Sequence, residues 1–316
     1  MWQLSAAQRM IEIQEPGPQT TVQDLGRHGQ LRYGIPPSGP MDAFAFVLAN
    51  RLAGNADAAA ALECTLTGPR FRVDAPCAIA VTGADMPVAV NGESVANWST
   101  LLLAAGDMVK VGAARSGLRG YVAFCGGLDV PLRLGSRSTY LRGRLGGLEG
   151  RALRKGDRLA TLPAARPRVR TVPRDACPVY AAETCVRVML GPQADRFTPA
   201  GIETFLRSSY TLQPQSDRMG ARFQGSRIEH VRGHDIVSDG IALGSVQVPG
   251  DGQPIVLLVD RQSTGGYTKA ATVCSFDIGR IAQLRPGQTL RFEAVEIAQA
   301  HALLREWRTM LSELAV

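Results

Sequence analysis

The stretch Val248-Pro-Gly-Asp-Gly-Gln-Pro-Ile-Val-Leu-Leu-Val-Asp-Arg-Gln-Ser-Thr-Gly-Gly-Tyr-Thr-Lys269 joins a turn, an apolar run and a polar glycine-rich segment. The apolar run 255–259 predicts a fully buried strand, and the residues after it predict a loop. This loop crowds charge, amide, hydroxyl and phenol groups onto one strand end, and its two glycines let a backbone approach a ligand closely. The stretch therefore favours a β protein with a site at a strand end; the alternative is an ordinary strand–turn–strand connection with solvated polar residues.

Length and composition extend this interpretation to the whole chain. At 316 residues the chain exceeds the usual size of a single core, so two domains are predicted. The 34 glycines and 19 prolines are spread along the sequence, which is typical of a turn-rich β protein and not of a disordered chain.

The charge balance is basic, and arginine supplies most of the excess. Lys and Arg number 35 against 28 Asp and Glu, which gives a net charge of +7. Because guanidinium groups bind carboxylates and phosphates in a bidentate manner, an anionic ligand or an acidic partner surface is favoured. The chain has no lysine-rich run and no recognised nucleic-acid motif, so no nucleic-acid partner is predicted. A solvated basic face is the simpler interpretation of any single arginine.

The cysteines and the apolar segments bear on the compartment. The 6 cysteines are scattered without CxxC spacing, which favours neither a zinc site nor a disulfide framework. A reducing, cytoplasmic compartment is the simplest expectation. No signal-peptide pattern and no apolar run of spanning length are seen, so no membrane partner is predicted.

Local signals place several elements. A strand is predicted over 10–13, a helix over 41–52, and a hairpin at the Asn-Gly pair within 88–93. Thr198-Pro199 predicts the start of a short helix, and the apolar periodicity of 295–314 predicts a long C-terminal helix.

Two similar halves are indicated by a repeated sequence pattern. Gly17-Pro18-Gln19 and Gly191-Pro192-Gln193 each follow a predicted strand. Prolines and arginines recur between the halves with little apolar periodicity. We therefore predict a first β domain at 10–162, a linker at 163–184 and a second β domain at 185–316.

Familiar catalytic motifs are not present in the sequence. There is no nucleophile elbow, no Walker loop and no dinucleotide-binding glycine motif. His230 and His234 have i, i+4 spacing, but the intervening Val-Arg-Gly disfavours a regular helix, so we predict no metal site.

Polar segments in the second half could instead converge at one end of a barrel. They would provide a carboxylate for proton transfer or cation binding, and Arg, Lys and backbone amides for an anion. A glycine- and arginine-rich loop at 135–151 is a further candidate for anion binding. We predict catalytic roles for Asp260, Tyr267 and Lys269. The predicted substrate- or nucleotide-binding residues are Ser138, Thr139, Arg142, Ser216, Asp217, Arg218, Gly220, Ser238, Asp239, Gly240, Gln247, Gln262, Thr264, Gly265 and Gly266.

Several motifs, in order along about residues 10–295, resemble the allophanate hydrolase subunit 2 family, also described as the KipA-like biotin-dependent carboxyltransferase family. They are Gly34-Ile-Pro-Pro-Ser-Gly-Pro-Met-Asp42, Gly135-Ser-Arg-Ser-Thr139, Gly146-Gly-Leu-Glu-Gly-Arg-Ala-Leu153, Ser216-Asp-Arg-Met-Gly220, Ser238-Asp-Gly240, Gln247-Val-Pro249 and Asp260-Arg-Gln-Ser-Thr-Gly-Gly-Tyr267. The resemblance implies a mainly β fold with tandem cyclophilin-like β-barrel domains.

The family includes the C subunit of the ATP-dependent 5-oxoprolinase, so the resemblance implies opening of 5-oxo-L-proline to L-glutamate. It also implies two partner proteins, one KipI-like and one LamB/YcsF-like, which are the B and A subunits of that enzyme. ATP would be bound by a member of the complex that the sequence does not identify. A small-molecule amide is the implied substrate. Ser263 and Thr268 depart from the family pattern, where threonine and proline are expected, which bears on substrate preference more than on fold.

Two alternatives stay open under the same resemblance. In the first alternative the chain is a carboxyltransferase component of a urea carboxylase or allophanate hydrolase type of system, using carboxybiotin; in the second it is a KipA-like regulatory protein that binds a kinase inhibitor. The sequence has no biotin-accepting Met-Lys-Met motif, so a carboxyltransferase role would require a separate carrier protein.

Overall fold

The computed structural model describes residues 9–165 and 167–314. Contacts within the chain divide them into unit 1, with 9–28, 38–179 and 314, and unit 2, with 29–37 and 180–313. Strands dominate both units, which confirms the predicted mainly β fold class with a few short helices and a C-terminal helix. The predicted domain boundaries stay a prediction; Arg166 and residues 315–316, which fall in the predicted linker and second domain, lie outside the described residues.

Unit 1 consists of two sheets and one helix within the described residues. Its strands are β1 (Met10–Glu15), β2 (Gln19–Gln23), β3 (Ala61–Thr65), β4 (Arg70–Val73), β5 (Cys77–Asp85), β6 (Val88–Val90), β7 (Glu93–Val95), β8 (Thr100–Leu103), β9 (Met108–Val111), β10 (Ser116–Phe124), β11 (Leu128–Asp129) and β12 (Arg158–Thr161). One sheet has the order β11-β12-β1-β4-β9-β6-β7, and the other has the order β2-β3-β10-β5-β8.

The core of unit 1 combines apolar residues from both sheets. Ile11 and Ile13 of β1 alternate with more exposed residues, as expected of a strand with one buried face. Phe71 of β4 and Phe124 of β10 meet edge to face, with ring centroids 5.2 Å apart. The apolar residues that alternate along these strands therefore pack into one continuous core.

Helix α1 (Ala43–Leu52) confirms the helix predicted over 41–52. Asp42 caps it, because its carboxylate accepts a hydrogen bond from the backbone N–H of Ala45 at 3.2 Å. Gly54, with φ of 77°, follows the helix end in the left-handed conformation that such a glycine favours.

The Asn-Gly hairpin is also confirmed. Asn91 and Gly92 join β6 to β7 with φ of 52° and 90°, the pair of positive values that a type I′ turn requires.

The proline- and arginine-rich segment after β12 pairs with the edge of β8. Thr100 donates from its backbone N–H to the Arg170 carbonyl at 2.8 Å, and Val172 donates to the Trp98 carbonyl at 2.9 Å. Ser99 and Thr171 form an antiparallel bridge between these bonds. Part of the predicted linker is therefore held along a sheet of unit 1.

Unit 2 contains a closed barrel, a two-stranded ribbon and three helices within the described residues. Its strands are β13 (Glu183–Leu190), β14 (Tyr210–Leu212), β15 (Gly220–Gln224), β16 (Asp235–Gly240), β17 (Ser245–Gln247), β18 (Ile255–Leu257), β19 (Thr264–Tyr267), β20 (Lys269–Val273) and β21 (Thr289–Ala294). The helices are α2 (Pro199–Arg207), α3 (Ile278–Ala282) and α4 (Ile297–Glu313). The barrel runs β13-β20-β17-β18-β15-β14-β21 and closes through the parallel β13–β21 pair, whereas β16 and β19 form the ribbon.

The helices of unit 2 follow their sequence signals. Thr198 caps α2 by accepting a hydrogen bond from the Gly201 N–H at 2.9 Å, as the Thr-Pro pair predicts. Helix α4 confirms the predicted C-terminal helix, but its buried residues are only Ala300 and Leu311. No helix in the described part of the chain has the length and apolarity needed to cross a membrane.

Candidate active site in unit 2

A buried ion pair joins the start of β15 to the residues that follow β18. Arg218 Nε donates to Asp260 Oδ2 at 2.9 Å, and each side chain is 6% exposed. The backbone reinforces the pair, because the Asp260 N–H donates to the Arg218 carbonyl at 2.9 Å. The guanidinium stabilises the ionised carboxylate and fixes its orientation.

A second ion pair lies at the start of β20. Lys269 Nζ is 3.2 Å from Asp239 Oδ2; the lysine side chain is 2% exposed and that of Asp239 is 56% exposed. The backbone N–H of Gly240, and next the Lys269 ammonium, lower the pKa of Asp239. Gln193 supports the lysine by accepting a hydrogen bond from its backbone N–H at 3.1 Å. The pair thus links a buried cation to a solvent-facing carboxylate.

The glycine-rich segment predicted to be a loop is strand β19, and this corrects the interpretation of 260–269. It pairs antiparallel with β16, with Asp239 opposite Gly265 and Gly240 opposite Thr264. The sequence rule failed because glycine disfavours strands in general, whereas here it permits close packing. The ribbon brings together Ser238, Asp239, Gly240, Thr264, Gly265 and Gly266 of the predicted set.

Gly265 lies directly against two side chains beneath the ribbon. A Cβ atom at this position would come within 2.7 Å of both Gln247 Nε2 and Ile241 Cδ1. Gln247 lies on β17 opposite Lys269 and is 2% exposed. The ribbon, Gln247 and Lys269 therefore form one contiguous group at the end of the barrel.

Replacement of Gly265 by alanine is expected to destabilise the protein, because Gln247 or the ribbon must move to make room for the new methyl group. We expect a loss in unfolding free energy of about 1–3 kcal/mol. Chemical denaturation measures the effect.

Gly240→Ala is the matched control, because Gly240 pairs in the same ribbon and a Cβ there would meet nothing within 4 Å. Equal losses in Gly265→Ala and Gly240→Ala would contradict the close-packing explanation.

Arg261 is the charged residue next to Asp260, and it was not among the residues assigned a role from sequence. Its side chain is buried, and it donates from Nε to the Ile241 carbonyl at 3.1 Å and from Nη1 to the Leu258 carbonyl at 3.3 Å. Burial lowers the pKa of Arg261. Gln262, the next residue, has a buried Oε1 atom without a hydrogen-bond partner among the described residues.

The remaining predicted residues of unit 2 have more local contacts. Ser216 Oγ accepts from the Arg222 N–H at 3.0 Å, and Asp217 Oδ1 accepts from the N–H groups of Met219 at 2.8 Å and Gly220 at 3.2 Å. These bonds shape the turn that places Arg218. Ser216, Asp217 and Gly220 therefore support the site through the backbone.

Tyr267 lies at the outer end of β19, 41% exposed, with its ring 6.2 Å from that of His234. The His234 and His230 rings are 6.3 Å apart. His230 Nε2 lies 3.1 Å from both the Val248 carbonyl and Thr268 Oγ1, and burial lowers the pKa of this histidine. No group of three or more potential metal-ligating side chains occurs in the residues the structure describes.

The predicted binding residues of unit 1 lie in the loop after β11. Ser138 and Thr139 are fully buried, with their hydroxyl groups bonded to Asp24 Oδ1 at 2.6 Å and to the Val22 carbonyl at 2.9 Å. Gly146 packs against the Ser138 carbonyl, and Arg142 is exposed. Other residues of the chain thus occupy the space beside the backbone of this loop. The hydroxyl groups of Ser138 and Thr139 form hydrogen bonds within the protein.

The carboxylate of Asp24, which follows β2, accepts hydrogen bonds from residues 136–138 of this loop. The sequence predicts no role for Asp24. Burial alone would raise its pKa, but hydrogen bonds from the Ser136 and Ser138 hydroxyls and from the Arg137 and Gly26 N–H groups lower the pKa below its usual value. The sequence contains Gln23-Asp24 and the distant Ser136-Arg137-Ser138, but nothing in it indicates that the two segments are in contact.

Asp24→Asn is expected to lower the unfolding free energy at neutral pH by about 1–3 kcal/mol, since the charged acceptor of several buried donors is lost. The pKa of Asp24 is lower in the folded state than in the unfolded state. The stabilisation is therefore complete above the unfolded value and is lost as the pH falls through the folded value. The difference between wild type and variant should shrink as the pH falls below about 4, the ordinary range of an aspartate, measured by urea denaturation. A constant difference across that range would contradict the assignment.

Comparisons with known proteins connect this geometry to a family. The sequence model of the family described as "Carboxyltransferase domain, subdomain A and B" matches residues 33–294. The chain is 37% identical to the 5-oxoprolinase C subunit of Haemophilus influenzae over 96% of its own length and 97% of that protein, and 35% identical to the Escherichia coli protein of the same name over 97% and 98%. The crystal structure of the Kluyveromyces lactis urea amidolyase superposes with a TM-score of 0.92 at 32% identity, over 96% of this chain but 20% of that one. With a match of this extent, the chain belongs to the family of carboxyltransferase domains that contain subdomains A and B.

Proposed function

We propose that this chain is the C subunit of an ATP-dependent 5-oxoprolinase, which opens 5-oxo-L-proline to L-glutamate together with a KipI-like protein as the B subunit and a LamB/YcsF-like protein as the A subunit. The observation that carries the proposal is the matching length: the chain covers 97% and 98% of two proteins named as the C subunit of 5-oxoprolinase. It covers only 17% of the urea amidolyase of Lachancea kluyveri.

The geometry of unit 2 supports a reaction at an amide. Opening a lactam requires stabilisation of negative charge on its oxygen and a proton for the departing nitrogen. Lys269 is a buried hydrogen-bond donor held by Asp239, and it is suited to either task. Asp260, oriented by Arg218, is suited to accept a proton from a water molecule or a substrate N–H. Tyr267 adds an accessible hydroxyl group at the ribbon.

ATP, when bound in the complex, supplies the free energy for opening a stable amide. A glycine-rich backbone segment can bind phosphates only if the space beside it is open. In this chain Gly146 and Gly147 pack against Ser138 and Thr139, so that space is occupied. This supports assignment of the nucleotide to one of the partner proteins, and we route no step of the reaction through ATP on this chain.

A carboxyltransferase role in a urea carboxylase type of system is the second candidate. The family description and the TM-score of 0.90 to the Kluyveromyces lactis urea carboxylase favour it. In that role the same Lys269 and Asp260 would bind and deprotonate urea, and carboxybiotin would supply the carboxyl group from a separate protein.

The test is reconstitution of the tagged chain with its KipI-like and LamB/YcsF-like partners. We expect a stable complex that hydrolyses ATP and forms glutamate in equal amounts only when 5-oxo-L-proline is added. Activity with urea and carboxybiotin alone would favour the carboxyltransferase. A complex inactive with both substrates would refute both enzymatic proposals and favour a KipA-like regulatory role.

A further inference from the structure

Arg261 is exceptional among the buried charges of unit 2. The buried charged side chains of this unit are Arg218, Asp260, Arg261, Lys269 and Asp277. Arg218 pairs with Asp260 at 2.9 Å, Lys269 with Asp239 at 3.2 Å, and Asp277 with Arg187 at 2.6 Å. Arg261 alone forms no ion pair within the described part of the chain.

The hydrogen bonds of Arg261 leave one edge of its guanidinium available. Main-chain carbonyls of Ile241 and Leu258 accept from Nε and from one hydrogen of Nη1. Both hydrogens of Nη2 and the second hydrogen of Nη1 have no acceptor among the described residues. This outer edge is the one that binds a carboxylate with two parallel hydrogen bonds.

The surroundings do not neutralise this charge. The carboxylate of Asp260, the adjacent residue, is engaged by Arg218, and that of Asp239 is engaged by Lys269. A buried cation without a counter-ion is unfavourable, and a bound anion relieves this. The surplus positive charge therefore indicates an anionic ligand.

Arg261 adjoins the other unsatisfied polar groups of the site. The side chain of its acceptor residue Ile241 lies beneath Gly265, and so does the side chain of Gln247. Gln247 Nε2 and Gln262 Oε1 are both buried without a partner within the described residues. The carbonyl of an amide would complement the Gln247 donor, and its N–H would complement the Gln262 acceptor.

We propose that Arg261 binds a carboxylate on the substrate and so selects an amide that carries a carboxylate over an uncharged amide. This inference rests on the proposed function, because 5-oxoproline bears a carboxylate beside its lactam whereas urea bears none. The two carbonyl bonds hold the guanidinium in place before the substrate arrives, so its binding loses little side-chain entropy.

The test compares 5-oxo-L-proline with 2-pyrrolidinone, the same lactam without its carboxylate, on the reconstituted complex. Isothermal calorimetry gives each dissociation constant, and steady-state kinetics gives KM for 5-oxo-L-proline and inhibition by 2-pyrrolidinone. Arg261→Gln should weaken binding of 5-oxo-L-proline about 10- to 100-fold, the effect of losing hydrogen bonds to a charged group. It should leave the affinity for 2-pyrrolidinone unchanged.

Arg187→Gln is the matched control, since it also removes a guanidinium of unit 2 that lies against a buried group, in this case its ion-pair partner Asp277. It should lower thermal stability without changing the preference between the two lactams. If Arg261→Gln does not fold, Arg261→Lys keeps the charge but loses the bidentate geometry, and it should bind 5-oxo-L-proline more weakly while still preferring it to 2-pyrrolidinone.

A folded Arg261→Gln complex with unchanged affinity for 5-oxo-L-proline would overturn the inference and leave the proposed function intact. Wild-type complex that forms no glutamate would instead refute the proposed function. Calorimetry would then decide the inference separately, because equal affinity of the wild type for both lactams would overturn it.

Discussion

Asp260→Asn is expected to destabilise the protein by about 3 kcal/mol, because it removes a buried carboxylate that neutralises Arg218. The asparagine side chain keeps the shape of aspartate, so the loss reflects charge and hydrogen bonding. Urea denaturation at neutral pH measures the effect. Because the carboxylate is also proposed to move a proton, the reconstituted complex should lose activity about 100-fold or more at saturating substrate.

An exposed ion pair of the same unit provides the control. Arg207 and Glu203 lie on α2 at 3.2 Å, with side chains that are 80% and 60% exposed. Glu203→Gln should change the unfolding free energy by less than about 1 kcal/mol, since solvent screens the pair. The Arg218→Met, Asp260→Leu double variant should regain much of the lost stability but none of the activity. Equal effects at Asp260 and Glu203 would show that burial does not strengthen the inner pair.

Lys269→Met is expected to lower kcat about 100- to 10,000-fold while the chain stays folded. Methionine matches the volume of the buried lysine stem, and the lost partner, Asp239, is largely solvated. We therefore expect only a small change in the free energy of unfolding. Glutamate formation by the reconstituted complex and denaturation of the isolated chain measure the two quantities.

The remaining lysines of the chain are natural controls. The sequence contains only Lys110 and Lys155 besides Lys269, and both are exposed. Lys110→Met and Lys155→Met should retain full activity. If Lys269→Met kept at least half of the wild-type rate, the proposed catalytic role would be wrong.

Elements determined by neighbouring residues were predictable from the sequence. The helix α1, the hairpin at Asn91-Gly92 and the start of α2 at Thr198 each depend on contacts within a few residues. The β16–β19 ribbon depends on pairing between distant segments, and its glycines weakened the strand signal. The sequence therefore predicted the polar residues of the ribbon but assigned them to a loop.

The candidate site shows the same limit at the level of charge. The clustering of polar residues after buried strands indicates Asp239, Asp260 and Lys269, but the sequence does not pair Lys269 with Asp239 or Asp260 with Arg218. The sequence does not distinguish Arg261, because this residue differs from the other buried charges by having no ion-pair partner in the described structure, which is a property of three-dimensional packing. The role of Asp24 is hidden for a similar reason, since all of its donors except the Gly26 N–H come from residues more than 100 positions away.

The pairing of residues 170–172 with β8 has a consequence for aggregation. An uncovered strand edge offers its N–H and carbonyl groups to other chains and promotes their association. The segment covers the beginning of this edge, at residues 98–100, and Pro167 and Pro173 flank the covering residues and have no N–H to donate to a further strand. A proline-rich stretch that looks like a spacer in the sequence thus hinders the addition of strands from neighbouring molecules where β8 begins.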